Sequence, residues 1–105
     1  MAMVLTVLEA EIDPGREREL MASYREAAGE TPPPFLVRSF LVRSTEKRSR
    51  FRIMTVFRSA EDLAAMRSSG TTPRGVQIFN AAGADPTLEV FEIADQFANP
   101  GAAIG

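Results

Sequence analysis

The sequence has 105 residues, enough for one domain, and a formal net charge of −2 at pH 7. It contains no cysteine and no histidine, which excludes disulfide bonds, thiolate nucleophiles and metal sites built on either residue type. Its 12 Lys and Arg stand against 14 Asp and Glu without a basic cluster, so DNA and RNA are not expected partners.

The chain begins with a predicted strand and a predicted helix. Residues 3–12 alternate as a strand does, and the turn signal at residues 13–15 ends them. Beyond this turn the apolar period becomes helical, with one side formed by Leu20, Tyr24, Ala27 and Ala28. Gly29 is predicted to cap this helix in the left-handed conformation, and the prolines at 32–34 prevent its continuation.

The middle of the sequence predicts a hairpin of two strands. Residues 35–44 alternate, with Phe35, Val37, Ser39 and Leu41 on one face and Leu36, Arg38, Phe40 and Val42 on the other. Residues 45–49 are a polar loop, and the strand at residues 50–57 sets Phe51, Ile53, Thr55 and Phe57 against Met54 and Val56. Such close neighbours along the chain are expected to pair antiparallel.

The last part of the sequence predicts two helices and a strand. Ser59 is the expected N-cap of a helix that carries acidic residues in its first turn and ends near Gly70. Pro73 begins a shorter helix that Gly83 breaks. Residues 87–94 are predicted to form the fourth strand.

The order βαββαβ predicts an α+β fold, a ferredoxin-like split βαβ unit with a four-stranded antiparallel sheet. We expect this domain at residues 1–98, followed by a flexible tail at 99–105. The strands lack the apolar and polar alternation of a sheet with one wet face, so a second copy is expected to cover that face in a homodimer. The alternative is that the strands are short and loosely ended.

The chain is also expected to be cytoplasmic. No segment reaches the roughly 18 apolar residues of a membrane span, and the N-terminus has neither a basic leader nor a cleavage site. A membrane partner is therefore not expected.

Two stretches resemble the antibiotic biosynthesis monooxygenase superfamily. The run VLTVLEAEIDPGRE at residues 4–17 looks like the family's first strand, turn and helix start, and FRIMTVFRSAEDL at residues 51–63 is similar to its third strand and next helix. With the final strand the resemblance covers residues 3–95. It implies a dimeric α/β barrel of two ferredoxin-like units, each with a pocket between its sheet and its helices.

The resemblance implies an activity as well. Family members include cofactor-independent oxygenases of aromatic polyketides or quinols, heme-degrading enzymes, and proteins with no assigned reaction. The heme-degrading branch uses a helix histidine, which this chain lacks. We therefore expect a monooxygenase without cofactor or metal, acting on a small hydrophobic aromatic or quinol molecule. The alternative is a non-catalytic module of the same fold that binds a small molecule or only dimerises.

Tyr24 and Asn80 are the candidate catalytic residues. When the electron-rich substrate itself reduces oxygen, the protein needs a dry pocket, a group that favours the phenolate and a donor to the developing oxyanion. Tyr24 lies on the apolar side of the first helix, where its hydroxyl would reach a ligand; alternatively that hydroxyl is in water. Asn80 would donate to a substrate carbonyl, or alternatively cap its helix.

Three arginines are candidate substrate-binding residues. Arg38 and Arg52 interrupt apolar strand faces, and a buried guanidinium needs a partner or an anionic ligand. They could instead extend from the sheet edge or form salt bridges across a dimer. Arg74, beside Pro73 at the start of the short helix, is open to the same two readings as Asn80, one in ligand binding and one in the structure of the helix end. Glu9 and Glu92 would serve as bases of a cofactor-free isomerase or cyclase if they were buried.

Overall fold

The computed structural model describes residues 2–102, in which strands and helices follow the predicted order. The elements are β1 (Val4–Glu11), α1 (Glu17–Ala28), β2 (Leu36–Arg43), β3 (Arg50–Phe57), α2 (Ala60–Ser68), α3 (Arg74–Ala81) and β4 (Thr87–Glu92). A single 3₁₀ turn, Pro14–Arg16, leads into α1. The predicted α+β class is confirmed, and each predicted strand and helix is present to within three residues of its expected bounds.

The four strands form one antiparallel sheet in the order β2-β3-β1-β4. Each βαβ-like half contributes one central and one edge strand, which is the ferredoxin-like arrangement that the sequence predicted. Within a single chain the sheet stays open at β2 and β4 and does not close into a barrel. A closed barrel would need strands from a second chain.

The two faces of the sheet are unequally covered. Along β1 and β3 every second residue is buried against the helices, namely Val4, Thr6, Leu8, Ala10, Phe51, Ile53, Thr55 and Phe57. The opposite face, which we call the outer face, carries the apolar residues Leu5, Val7, Phe40, Val42, Met54, Val56 and Phe91. No helix of the described chain covers it, and Phe40 and Phe91 are 42% and 43% exposed.

A β-bulge in β2 corrects the predicted alternation of residues 35–44. Leu36 pairs with Phe57, but Arg38 pairs with Val56, so two steps along β2 match one step along β3. The extra residue is Val37. Because a shift of one residue exchanges the two faces of a strand, Leu36 joins the helix-facing side, where the alternation had placed it on the other.

The N-cap of α2 and the glycines that follow α2 and α3 lie where the sequence predicted them. The Ser59 side chain accepts a hydrogen bond from the Asp62 amide at 3.2 Å, which is the expected N-cap of α2. Gly70 and Gly83 follow α2 and α3 with positive φ. The left-handed cap predicted for Gly29 is wrong, since its φ is −82° and its amide continues the helical turn to the Arg25 and Glu26 carbonyls.

Two apolar clusters pack between the sheet and the helices. The larger one surrounds Leu20, Phe51 and Phe79 at the end of the sheet where β1 finishes. The smaller one joins Val4, Phe57 and Leu63 at the opposite end. The middle of the sheet lies between them, and it carries the candidate site.

The chain after β4 is largely exposed. The Asn99 carbonyl accepts a hydrogen bond from the Ala102 amide at 3.0 Å, which makes a turn inside the predicted tail. The remaining residues of that tail, 103–105, lie outside the described part, and the domain boundary at 98 stays a prediction. Among residues 2–102 no helix has the length and hydropathy needed to cross a bilayer.

Candidate functional site

Three hydroxyl side chains form a row across the helix-facing side of the sheet. The strand register pairs Thr6 with Thr55 and Thr55 with Ser39, so the three residues are direct neighbours on β1, β3 and β2. Thr6 and Thr55 are buried, and Ser39 is half-buried. These short side chains lie between the two apolar clusters and leave the space above them open.

A cavity of about 540 Å³ fills this space between the hydroxyl row and the helices. Small residues on the helices help to create it, because Ala27 and Ala28 of α1 and Gly75 of α3 are among the residues that line it. The apolar residues of the wall are Leu8, Leu36, Ile53, Phe57, Leu63, Met66, Val76, Ile78 and Leu88. Its volume falls within the range of roughly 300 to 1,000 Å³ that is typical of small-molecule sites.

Tyr24 connects α1 to the hydroxyl row. Its hydroxyl donates to Ser39 Oγ at 3.0 Å, and the Thr55 hydroxyl approaches the same oxygen at a longer 3.5 Å. Ser39, Tyr24 and Thr55 all contribute hydroxyl groups, each able to donate and to accept, so this geometry does not commit the Ser39 proton to either neighbour. When Tyr24 donates to Ser39, the Ser39 proton can turn to an acceptor in the cavity, and the hydrogen bond from Tyr24 then makes Ser39 a stronger donor.

Charged residues line the mouth of the cavity. Glu30, Arg67 and Arg74 are exposed, and all three belong to its lining. Arg74 forms two hydrogen bonds to the Glu30 carboxylate, Nη2 to Oε2 at 3.0 Å and Nε to Oε1 at 3.2 Å. This ion pair joins the beginning of α3 to the segment that follows α1.

The structure brings two of the five predicted site residues together. Tyr24 and Arg74 line the same cavity. Asn80 is exposed on α3 and is not among the lining residues. Arg38 and Arg52 lie on the outer face, on the other side of the sheet. Tyr24 and Arg74 therefore share one cavity, and the other three residues do not line it.

The outer-face arginines have partners of their own. Arg52 Nε is 2.6 Å from Glu9 Oε1 on the neighbouring strand, and Arg50 Nε is 3.9 Å from the other oxygen of Glu9. The Arg38 guanidinium lies 5.7 Å from the centre of the Phe40 ring. Neither Glu9 nor Glu92 lines the cavity.

Ion pairs on the surface lower the pKa of several carboxyl groups. Arg58 and Ser59 donate hydrogen bonds to Asp62 and hold its pKa below the ordinary value. Arg16 lowers the pKa of Glu19 in the same way. These groups lie outside the cavity. Within residues 2–102 no three Asp or Glu side chains meet in an arrangement that would hold a metal ion.

The hydroxyl row was not predicted from the sequence. Ser39 is the one polar residue on the helix-facing side of β2 before Arg43, and this interruption of an apolar face was a visible signal. The neighbourhood of Ser39, Thr55 and Thr6 depends on strand register, which the sequence does not display.

Comparisons with known proteins agree with this fold. A model of the family described as antibiotic biosynthesis monooxygenase matches residues 3–76. No curated protein sequence matches the chain significantly.

Solved structures of similar fold include SnoaB from Streptomyces nogalater, a cofactor-independent oxygenase (TM-score 0.64, 18% identity, 95% of this chain and 99% of that chain). A candidate antibiotic biosynthesis monooxygenase of Caulobacter crescentus has a TM-score of 0.69 at 17% identity, over 90% of this chain and 92% of that one. A Bacteroides thetaiotaomicron protein of unknown function, described as a possible oxidoreductase, has a TM-score of 0.66 at 22% identity, over 87% and 97%.

Identities this low show a shared fold and nothing about a shared reaction. The family model carries more weight, since it matches well over half of the sequence and begins at residue 3, as the resemblance did. The expected family is thus confirmed, and the chain belongs to the antibiotic biosynthesis monooxygenase family.

Proposed function

We propose that the protein is a cofactor-independent monooxygenase that oxidises a hydrophobic aromatic or quinol substrate in the cavity above the hydroxyl row. The observation that carries the proposal is the Ser39 hydroxyl, which lines an apolar cavity and is hydrogen-bonded to Tyr24, so that its proton can be directed at a ligand. Family membership supports it. The fold shared with a cofactor-independent oxygenase is compatible with it.

The proposed reaction draws its electrons from the substrate. For a substrate with an activated methylene carbon, loss of a proton to solvent at the cavity mouth gives an anion whose charge is spread onto a neighbouring oxygen. The anion is oxidised by O₂ and a carbon–oxygen bond forms. The resulting peroxide anion takes up a proton from solvent and loses water to leave a carbonyl group. One oxygen atom enters the product and the other leaves as water, so no external reductant is needed.

Ser39 and Tyr24 have distinct roles in this scheme. Ser39 donates to the substrate oxygen on which negative charge develops, a contact that strengthens as the anion forms. Tyr24 positions the Ser39 hydroxyl and polarises it through the 3.0 Å hydrogen bond. The apolar walls exclude water, which strengthens this contact and protects the reactive anion.

The remaining candidate residues have less support from the geometry of the cavity. Arg74 is the proposed substrate-binding residue at the cavity mouth. Asn80, Arg38 and Arg52 stay predictions on which this site does not depend. The isomerase or cyclase alternative lacks support, since neither Glu9 nor Glu92 lines the cavity.

The proposed enzyme is a homodimer whose two outer faces pack against each other. The apolar residues of that face exceed what an isolated sheet normally presents to water, and Phe40 and Phe91 together with Val42 (37% exposed) would be covered by a second copy. A cytoplasmic location stays a prediction.

Oxygen uptake tests the proposed activity. Purified, chelator-treated protein is given a panel of anthrones and naphthohydroquinones and compared with a blank without protein. Uptake above the blank is expected, with kcat reduced about tenfold to a hundredfold in Ser39→Ala, since loss of an oxyanion donor has effects of this order or larger. Tyr24→Phe is expected to lose less, because Ser39 keeps its own proton. Ser68→Ala serves as control, as its hydroxyl donates only to the Ala65 carbonyl on α2.

Two results would contradict the proposal. Uptake that is equal in wild type and Ser39→Ala would remove Ser39 from the reaction. Absence of uptake across the panel, from protein that binds the same compounds, would favour the non-catalytic binding module.

A further inference from the structure

The mouth of the cavity has an excess of positive charge. Arg67 and Arg74 reach it from the end of α2 and the beginning of α3, and Glu30 is the one carboxylate among the lining residues. Arg67 has no acidic partner within 4.0 Å in residues 2–102. A chain with net charge −2 thus carries a locally positive rim around an apolar cavity.

The Glu30–Arg74 pair can be opened at low cost. Its side chains are 53% and 41% exposed, and exposed ion pairs typically contribute only about 0 to 1 kcal/mol. Gln77 Oε1 also accepts from Arg74 Nη1 at 3.2 Å, so the guanidinium stays oriented when Glu30 moves away. A ligand carboxylate could therefore replace Glu30 at a guanidinium that is already aimed across the mouth, since arginine binds carboxylates in a two-pronged geometry.

We propose that the cavity is selective for aromatic molecules that carry an ionised acidic group, with the rings in the apolar interior and the acid bound by Arg67 and Arg74 at the mouth. This inference rests on the proposed function for the site, and it adds the substrate class. Glu30 competes with the ligand's acid for Arg74, because its carboxylate already occupies the position that the ligand's acid would take.

A pair of fluorescent probes tests the selectivity without any turnover. The two compounds, 9-anthracenecarboxylate and 9-anthracenecarboxamide, have the same rings and nearly the same shape but differ in charge. Titrations at low salt are expected to show the carboxylate binding about tenfold more tightly. Added salt should reduce this ratio, because the contact is close to solvent.

Variants with opposite expected effects identify the residues responsible. Arg67→Gln and Arg74→Gln should each weaken the carboxylate several-fold and leave the carboxamide unchanged. Glu30→Gln should strengthen carboxylate binding, because it removes the competing carboxylate. Arg25→Gln is the matched control, as Arg25 is exposed on α1 and does not line the cavity. A purely structural role of the Glu30–Arg74 pair would instead weaken both probes equally in Glu30→Gln.

The results separate this inference from the proposed activity. Equal affinity of the two probes, failure of both to bind, or equal loss of both in the arginine variants would overturn the selectivity. If such a result came with oxygen uptake from uncharged anthrones, the oxygenase proposal would stand while the acidic substrate class would be wrong. Selective binding of the carboxylate probe without oxygen uptake on any substrate would support the preference for acidic ligands and contradict the oxygenase proposal.

Discussion

Gly75 of α3 approaches Leu8 of β1 so closely that a Cβ atom at position 75 would lie 2.7 Å from Leu8 Cδ1. The closest atom is the end of a flexible side chain that borders the cavity, so in Gly75→Ala we expect Leu8 to turn into the empty space. Alanine also favours the helix by up to about 1 kcal/mol over glycine. The free energy of unfolding should therefore change by less than about 1 kcal/mol, while the smaller cavity binds 9-anthracenecarboxylate more weakly.

Urea unfolding and the fluorescence titration measure the two effects separately. Gly15→Ala is the control, since a Cβ there meets only Asp13 Oδ1 at 3.8 Å, outside the cavity. Unchanged probe affinity in Gly75→Ala would mean that the probe does not use the part of the cavity beside Leu8.

Gly83 and Gly70 have nearly the same left-handed backbone conformation, so the destabilisation caused by alanine can be compared at the two positions. Their φ angles are +78° and +76°, and a side chain in this conformation costs about 1 to 2 kcal/mol. At Gly70 a Cβ would meet nothing within 4 Å, whereas at Gly83 it would lie 2.8 Å from Arg16 Nη1. Gly83→Ala should therefore destabilise the protein more than Gly70→Ala in urea unfolding.

The extra loss at Gly83 has a specific cause that can be removed. Arg16 donates to the Ala81 carbonyl at 3.1 Å and pairs with Glu19, so a Cβ at position 83 would displace these contacts. In an Arg16→Ala background the difference between the two glycine variants should shrink. A difference of the same size in both backgrounds would rule out crowding with Arg16.

Much of the fold could be predicted because its β-rich runs, helical periods and turn residues are local features of the sequence. β1 and β3 alternate without interruption, and Ser59 with Asp62 marks the start of α2. The bulge at Val37 could not be predicted, because its residue type does not distinguish it from the rest of β2. Only the register of β2 against β3 reveals the bulge.

The site was predicted less completely, and for a related reason. Tyr24 could be found because an amphipathic helix points it inward. Asn80 follows Phe79, the fully buried residue of α3, and one helical step of about 100° turns it toward solvent. Ser39 could not be found as a site residue, because its importance comes from Thr55 on another strand and Tyr24 on a helix.

The Asp62 carboxylate should make stability depend on pH in the acid range. Arg58 donates to it at 2.9 and 3.1 Å, and the Ser59 hydroxyl donates at 2.9 Å, so its pKa in the folded state lies below the ordinary 3.8. A lowered pKa stabilises the folded protein above pH 3.8, and this contribution is lost as the pH falls through the folded-state value. Asp62→Asn should thus be less stable than wild type at neutral pH, and the gap should close below pH 3.8.

Urea unfolding at several pH values measures this gap. Glu61→Gln removes the same charge from the first turn of α2 without touching these hydrogen bonds, and it should destabilise less. Ser59→Ala should cost about 1 kcal/mol through the lost N-cap. An Asp62→Asn gap that persists unchanged at acid pH would mean that the ionised form is not what stabilises the fold.

Val56 tests the proposed homodimer, because it lies on the central strand β3 of the outer face, opposite Leu5 and next to Arg38 on β2. A half-buried valine there can be replaced by lysine in a monomer, since the longer side chain extends into water. In a dimer the same lysine would be buried in an apolar interface without a partner, which is costly. Val56→Lys should therefore shift the mass measured by light scattering from two chains toward one, with the far-UV circular dichroism unchanged.

Ala64→Lys is the control for this experiment. This residue lies on the exposed side of α2, and the variant should remain a dimer. A wild-type mass of one chain, or a Val56→Lys mass of two, would show that this face is not the interface, and the exposure of Phe40 and Phe91 would then need another explanation.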